Sequence, residues 1–170
     1  MSISASMLPE LEMELATTRK CLERLPTEKF GWKPHEKSMP LAGLATHITK
    51  MLGWGADICK SDSFDVAPVG AEPYREDPAA STEDLLAQFD KHAAECKAAL
   101  ATTTDEQMMQ TWSLLSGGNV VMAMPRIACL RGFVFSHIVH HRGQLTVYMR
   151  LNDILVPSIY GPSADDPGGM

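Results

Sequence analysis

Leu8, Leu11, Leu15, Thr18, Leu22 and Leu25 recur at steps of three and four near the start of the chain. That spacing gathers them on one side of a helix, so the segment must bury that side against something else. The same rhythm returns in Leu44, His47, Met51, Trp54 and Ile58, and again in Leu86, Phe89, Ala93, Cys96 and Leu100. It returns a last time in Ile127, Leu130, Val134, His137, His141, Gln144, Tyr148 and Leu151. Four segments with one stripe each satisfy one another by packing together, which predicts an all-α four-helix bundle. At 170 residues and 45% hydrophobic content, one domain over residues 1–170 is expected.

Local signals set the boundaries. Pro26 closes the first helix, and KFGWKPHEKS, ending at residue 38, has the Pro, Gly and charge of a connecting loop. Ser38 is the expected cap of the second helix, with Pro40 in its first turn. Residues 61–80 carry three prolines and several acids without periodicity and form a long crossover loop. Ser81, with Asp84 three positions on, opens the third helix as a capping box. Residues 109–124 are β-prone on both sides of Ser116-Gly117-Gly118-Asn119 and predict a short hairpin or irregular excursion. The fourth helix is expected from Pro125 to about Asn152, and the Pro- and Gly-rich tail from Pro157 onward lies on the surface.

Charge and composition exclude several classes. A net charge of -6 and a pI near 5.4 leave no basic footprint for a nucleic-acid backbone. No basic leader with an apolar core and no membrane-spanning apolar run is present, so a cytoplasmic protein without membrane contact is expected. Cys21, Cys59, Cys96 and Cys129 stand far apart, without a CxxC pair, and read as reduced core thiols.

The histidines carry the chemistry. His137 and His141 are four apart in SHIVHHRGQL, so both rings leave one face of the last helix and point inward. Burying two imidazoles costs free energy unless their nitrogens are satisfied, either by carbonyls and water or by a divalent metal. His47 occupies a stripe position in the second helix, so three imidazoles converge in the bundle. His140 is rotated by about 100° from His141, off the bundle axis, and is read as supporting the ligands or as partly exposed, although the two can exchange roles. His35 and His92 are read as solvated or capping residues. Gln144, on the same stripe, is placed behind the site to orient a ligand or a metal-bound water, Arg142 points elsewhere in a structural ion pair, and Gly143 is placed at a close helix contact.

These residues resemble a known family. HxxxHRGQ in the last helix, the histidine of LAGLATHITKMLGW after a WKP loop, and the closing VPSIYGPSADD are similar to the DinB/YfiT-like superfamily of candidate metalloenzymes, over most of the chain. The resemblance implies a four-helix bundle, commonly a homodimer. It also implies a divalent metal, zinc or nickel, on the positions matching His47, His137 and His141. Relatives implied by it include S-transferases and isomerases that use low-molecular-weight thiols, and others that carry only a hydrolase label.

Three neutral imidazoles leave a coordination position open for water or a thiol, which a metal would make nucleophilic near neutral pH. A metal-dependent enzyme acting on a small molecule follows, as a hydrolase or a thiol S-transferase. No general base can be named: Asp57, Glu83 and Asp84 have no reason to face the site. The alternative is a non-catalytic protein whose metal stabilises a dimeric bundle, with a structural or stress-response role.

Overall fold

The first stripe becomes α1, Ile3–Leu22, in the computed structural model, which describes residues 2–168. Ser2 caps it, its hydroxyl accepting from the Ala5 N–H, and Met7, Leu11, Leu15, Thr18 and Leu22 are buried. A 3-10 turn at Thr27–Lys29 follows Pro26. The second helix, α2, spans Leu41–Lys60. Ser38 does not cap it: Pro40 holds the N-cap position and the Ser38 N–H closes a turn onto the His35 carbonyl. A proline there needs no side-chain cap, because its extended φ/ψ already directs the chain into the helix.

Residues 61–80 are irregular apart from β1, Ser63–Asp65, a strand that the missing periodicity concealed. The third helix, α3, Thr82–Thr102, starts on the Ser81 hydroxyl as expected, and a short α4, Asp105–Met109, follows it. β2, Thr111–Ser116, and β3, Asn119–Pro125, form the hairpin, turning at Gly117 and Gly118 with φ of 60° and 77°. Two consecutive positive φ angles define the tight turn that matches strand twist, and glycine adopts them without strain. β1 joins β2 in parallel, so the all-α expectation gives way to a mostly helical chain with a three-stranded sheet in the order β1-β2-β3. The Asp65 carboxylate accepts from the N–H groups of Ala67, Gly117 and Gly118, fastening the crossover loop to the hairpin turn.

The last long helix is continuous but not uniform. It begins as α5, Arg126–Cys129, widens to a π segment at Leu130–Phe135 and resumes as α6, Ser136–Leu151. Each π turn takes in one residue more than an α turn, and one residue amounts to about 100° of rotation. The buried face therefore runs through Leu130, Val134, Ile138, Arg142, Leu145 and Met149. The expected stripe of His137, His141, Gln144, Tyr148 and Leu151 lies to one side of it, with Gln144 and Leu151 exposed. His137 and His141 thus sit half-buried at the rim of the core, facing α2. Gly143 is exposed with nothing within 4 Å of a Cβ built on it, so it serves no close helix contact.

The core is shared by α1, α2, α3 and α6, with α2 packed on both α3 and α6, and α1 on the same pair. All four cysteines are free and buried, and burial pushes the Cys96 thiol up to about 12 and that of Cys21 up to about 11. They pack as small apolar side chains. No helix among the described residues is long and apolar enough to cross a membrane.

Candidate metal centre

Three ring nitrogens, one each from His47, His137 and His141, lie within 4.8 Å of one another. His47 comes from the middle of α2, and the other two come from the first turns of α6 just beyond the π segment. The Nε2 atoms of His137 and His141 are 2.9 Å apart. The His47 ring meets both edge-on, with centroids 5.2 and 4.8 Å away. The shift of phase made by the π segment is what turns this pair toward α2 and not into the bundle axis.

The opposite nitrogens are occupied. His47 Nδ1 lies 2.9 Å from Glu76 Oε2, and His141 Nδ1 lies 2.7 Å from the carboxamide oxygen of Gln144. A carboxylate and a carbonyl oxygen only accept, so both histidines carry a proton on Nδ1 and present a bare Nε2 to the cluster. His137 differs: with a neutral His141 facing it, its Nε2 must hold the proton that bridges the pair, and its Nδ1 becomes an acceptor. That Nδ1 is buried and makes no well-formed hydrogen bond, with the Phe133 backbone as its nearest polar neighbour, a contact that favours a proton on the ring. A cation at the three Nε2 atoms would let the proton move to Nδ1, beside the Phe133 backbone, and would satisfy three lone pairs at once. The donor set therefore fits a divalent metal.

Electrostatics agree. Burial lowers the pKa of His137, aided by the nearby His47. Burial likewise lowers that of His141; the Gln144 hydrogen bond opposes the shift and His137 and His47 reinforce it. Neutral imidazole, the form that ligates, is thus the favoured state.

Glu76 reaches His47 because the crossover loop is tied down at both ends. The Val66 N–H donates to Leu115 on β2, the Tyr74 N–H to the Val66 carbonyl, and the Ala79 N–H to Thr46 Oγ1 beside His47. Glu76 also accepts from the Tyr74 hydroxyl at 3.2 Å, and Tyr74 in turn accepts from Trp54 Nε1. Burial, with Glu76 alongside, pushes the Tyr74 phenol up to about 12, so it stays a donor. Sequence reading missed Glu76 and Tyr74, since an acid in an aperiodic loop carries no signal.

The remaining candidates separate cleanly. Gln144 lies behind His141, within hydrogen-bond distance of its Nδ1, while His140 is exposed and outside the cluster, its ring 4.8 Å from that of His141. His92 bonds the Thr49 carbonyl and His35 accepts from the Lys37 N–H. Arg142 does form an ion pair, but in the core: it is 1% exposed and lies 2.6 Å from Glu14 Oε2. It also bonds Thr18 and the Tyr160 hydroxyl, through which the tail is pinned to α1. Glu14 was legible, because it falls between Leu11 and Thr18 on the buried side of α1.

Comparison with known proteins gives the family and the fold. A profile of the DinB superfamily matches residues 10–145. The chain is 27% identical over 161 residues to the uncharacterized protein YrdA of Bacillus subtilis, covering 94% of this chain and 89% of that one. It is 25% identical to YjoA of the same organism over 134 residues, 78% and 80% of the two chains. Among solved structures, a DinB-like protein from Bacillus cereus superposes with a TM-score of 0.70 at 23% identity, covering 94% and 98%. The crystal structure of YjoA gives 0.67 at 20% identity, covering 87% and 92%. At those identities the two structures speak for the fold. This chain belongs to the DinB superfamily.

Proposed function

We propose that this protein is a metal-dependent enzyme in which His47, His137 and His141 hold a divalent cation, zinc or nickel, and that it transfers a low-molecular-weight thiol to a small electrophile or hydrolyses a small molecule. The observation that carries the reading is the set of three ring nitrogens within 4.8 Å of one another while oxygen acceptors hold Nδ1 of His47 and of His141. Among the described residues, no fourth His, Cys, Asp or Glu joins them. Structural zinc sites are generally closed by four ligands, whereas three ligands and an open position mark catalytic ones.

When bound, such a cation supplies Lewis acidity that brings the pKa of water or a thiol toward neutrality. The chain's own residues orient and shield. Glu76 fixes the His47 ring and Gln144 the His141 ring, so neither has to reorganise. Trp54 meets the His47 ring edge-on with centroids 5.6 Å apart and forms an apolar wall on that side. Glu76 is committed to His47 and Tyr74, and Tyr74 remains protonated, so neither serves as a free general base, and the exposed His140 imidazole lies outside the cluster, its ring 4.8 Å from that of His141. That favours thiol transfer over hydrolysis, because a thiol needs only to be deprotonated and positioned.

In this reading the chain works in the cytoplasm as one four-helix-bundle domain, paired into a homodimer. Exposed Val147 and Leu151 on α6, with Leu155 beyond it, support such pairing. The test is thiol consumption by the zinc- or nickel-loaded chain with a panel of electrophiles. The reading requires turnover that a chelator abolishes and added metal restores. A loaded protein that unfolds on chelation and turns over nothing would instead be a non-catalytic bundle held by its metal.

A further inference from the structure

A second feature abuts the cluster. Between α2, the sheet and the π segment lies a pocket of about 100 Å³, walled by Trp54, Phe64, Trp112, Leu114, Met122 and Phe133. It touches the histidines through two of its own walls. The Trp54 ring is 5.6 Å from that of His47 and 6.4 Å from that of His137, and Phe133 precedes His137 by one helical turn. Its third side comes from Phe64 and Val66, at the start of the same loop that delivers Tyr74 and Glu76.

The chemistry of these walls is selective. Carbon and aromatic faces dominate, and the ionisable group at the edge is Asp57, an acid. Among the described residues, no lysine, arginine or histidine lines the pocket. A carboxylate or phosphate placed there would lose its hydration without gaining a partner and would face Asp57, whereas a hydrocarbon group gains from leaving water. A cavity of ~150 Å³ is enough to hold benzene, so this one suits a short branched chain or an inserted ring edge.

We propose that this pocket binds a neutral hydrocarbon group of the substrate, a short branched alkyl chain or the inserted edge of a single ring, while the reacting atom lies at the three histidines. The inference rests on the histidines being the reacting centre. It assigns the substrate class: an uncharged, apolar-substituted small molecule, selected by Trp54, Met122 and Phe133. Polar and anionic compounds of the same reactivity are discriminated against.

Two titrations on the full chain test it. In the first, metal-free protein is titrated with benzyl alcohol and with benzoate while the methyl signals of Met122, Leu114 and Ile58 are followed by NMR. Benzyl alcohol is expected to shift them saturably and benzoate to leave them in place; no shift with benzyl alcohol, or equal shifts with both, overturns the proposal. In the second, zinc-loaded wild type and Met122→Trp are titrated with benzyl mercaptan and methyl mercaptan. Wild type is expected to prefer the benzyl compound by about tenfold or more, the gain of burying a ring, and the tryptophan to shrink that ratio toward unity. An undiminished ratio in the folded variant also overturns it. Failure to take up zinc at all counts against the histidine reading, and the benzyl alcohol titration then decides the pocket alone.

Discussion

His137 Nε2 and His141 Nε2 stand 2.9 Å apart, and the other nitrogen of His137 is buried without a well-formed hydrogen bond. A neutral pair can share one proton at that distance, but only by leaving an acceptor unpaired, which carries a desolvation cost. The arrangement is therefore better satisfied with a cation than without one.

Glu76 sets the orientation of His47, and its charge strengthens that histidine as a donor. Glu76→Gln is expected to weaken zinc binding by about 10–100-fold, the usual effect of removing an outer carboxylate, with little change in folding. Competition against a chromophoric chelator measures it. Equal affinity in the variant would show that the carboxylate contributes nothing.

Acid should act on the metal-free protein through the same histidines. In the unfolded chain imidazole titrates near 6.5, and burial holds His137, His141 and His92 below that value in the fold. The unfolded state then binds more protons below pH 6.5, so stability is fully present above that pH and declines as pH falls through the lowered values. Urea midpoints are expected to drop between about pH 7 and about pH 5.5, and less so in a His137→Gln/His141→Gln variant, which keeps only the His92 share. Parallel profiles would contradict this.

Arg142 and Glu14 form a buried pair at 1% and 6% exposure. Arg142→Met leaves a carboxylate in the core and is expected to cost about 3–5 kcal/mol by urea unfolding. Replacing both, Arg142→Met with Glu14→Met, should recover most of that loss. A double variant as unstable as the single one would mean that the pair matters through Tyr160 and the tail.

Gly55 is where α2 meets α3 and the π segment. A Cβ there would lie 2.6 Å from Cys96 Sγ and 3.4 Å from Val134, both buried. Gly55→Ala is expected to cost about 1–3 kcal/mol through overpacking. Gly53→Ala, whose new Cβ meets nothing closer than 3.8 Å, should be neutral or mildly stabilising in the same melt.

Much of this was visible in the chain. The three-four spacing located the long helices, the Ser-Gly-Gly-Asn run located the hairpin, and the three clustered histidines were identifiable from stripe position and HxxxH alone. What failed did so for a physical reason. A constant 3.6-residue period carried through Leu130–Phe135 misses the residue that the π segment takes in, so the phase after it is wrong by one position. That error placed the histidines in the bundle axis and Arg142 outside it. β1 and Glu76 were invisible because strand pairing and a loop carboxylate are tertiary facts, set by Leu115 and Thr46 far along the chain.

The most direct test is metal content per chain, by elemental analysis of protein purified without a histidine tag, for wild type and for His47→Ala, His137→Ala and His141→Ala separately. Near-stoichiometric zinc or nickel is expected in the wild type, with its loss in each folded variant. Wild-type protein that takes up no metal even after incubation with both ions, or full occupancy surviving any of the three substitutions, would contradict the three-histidine metal site.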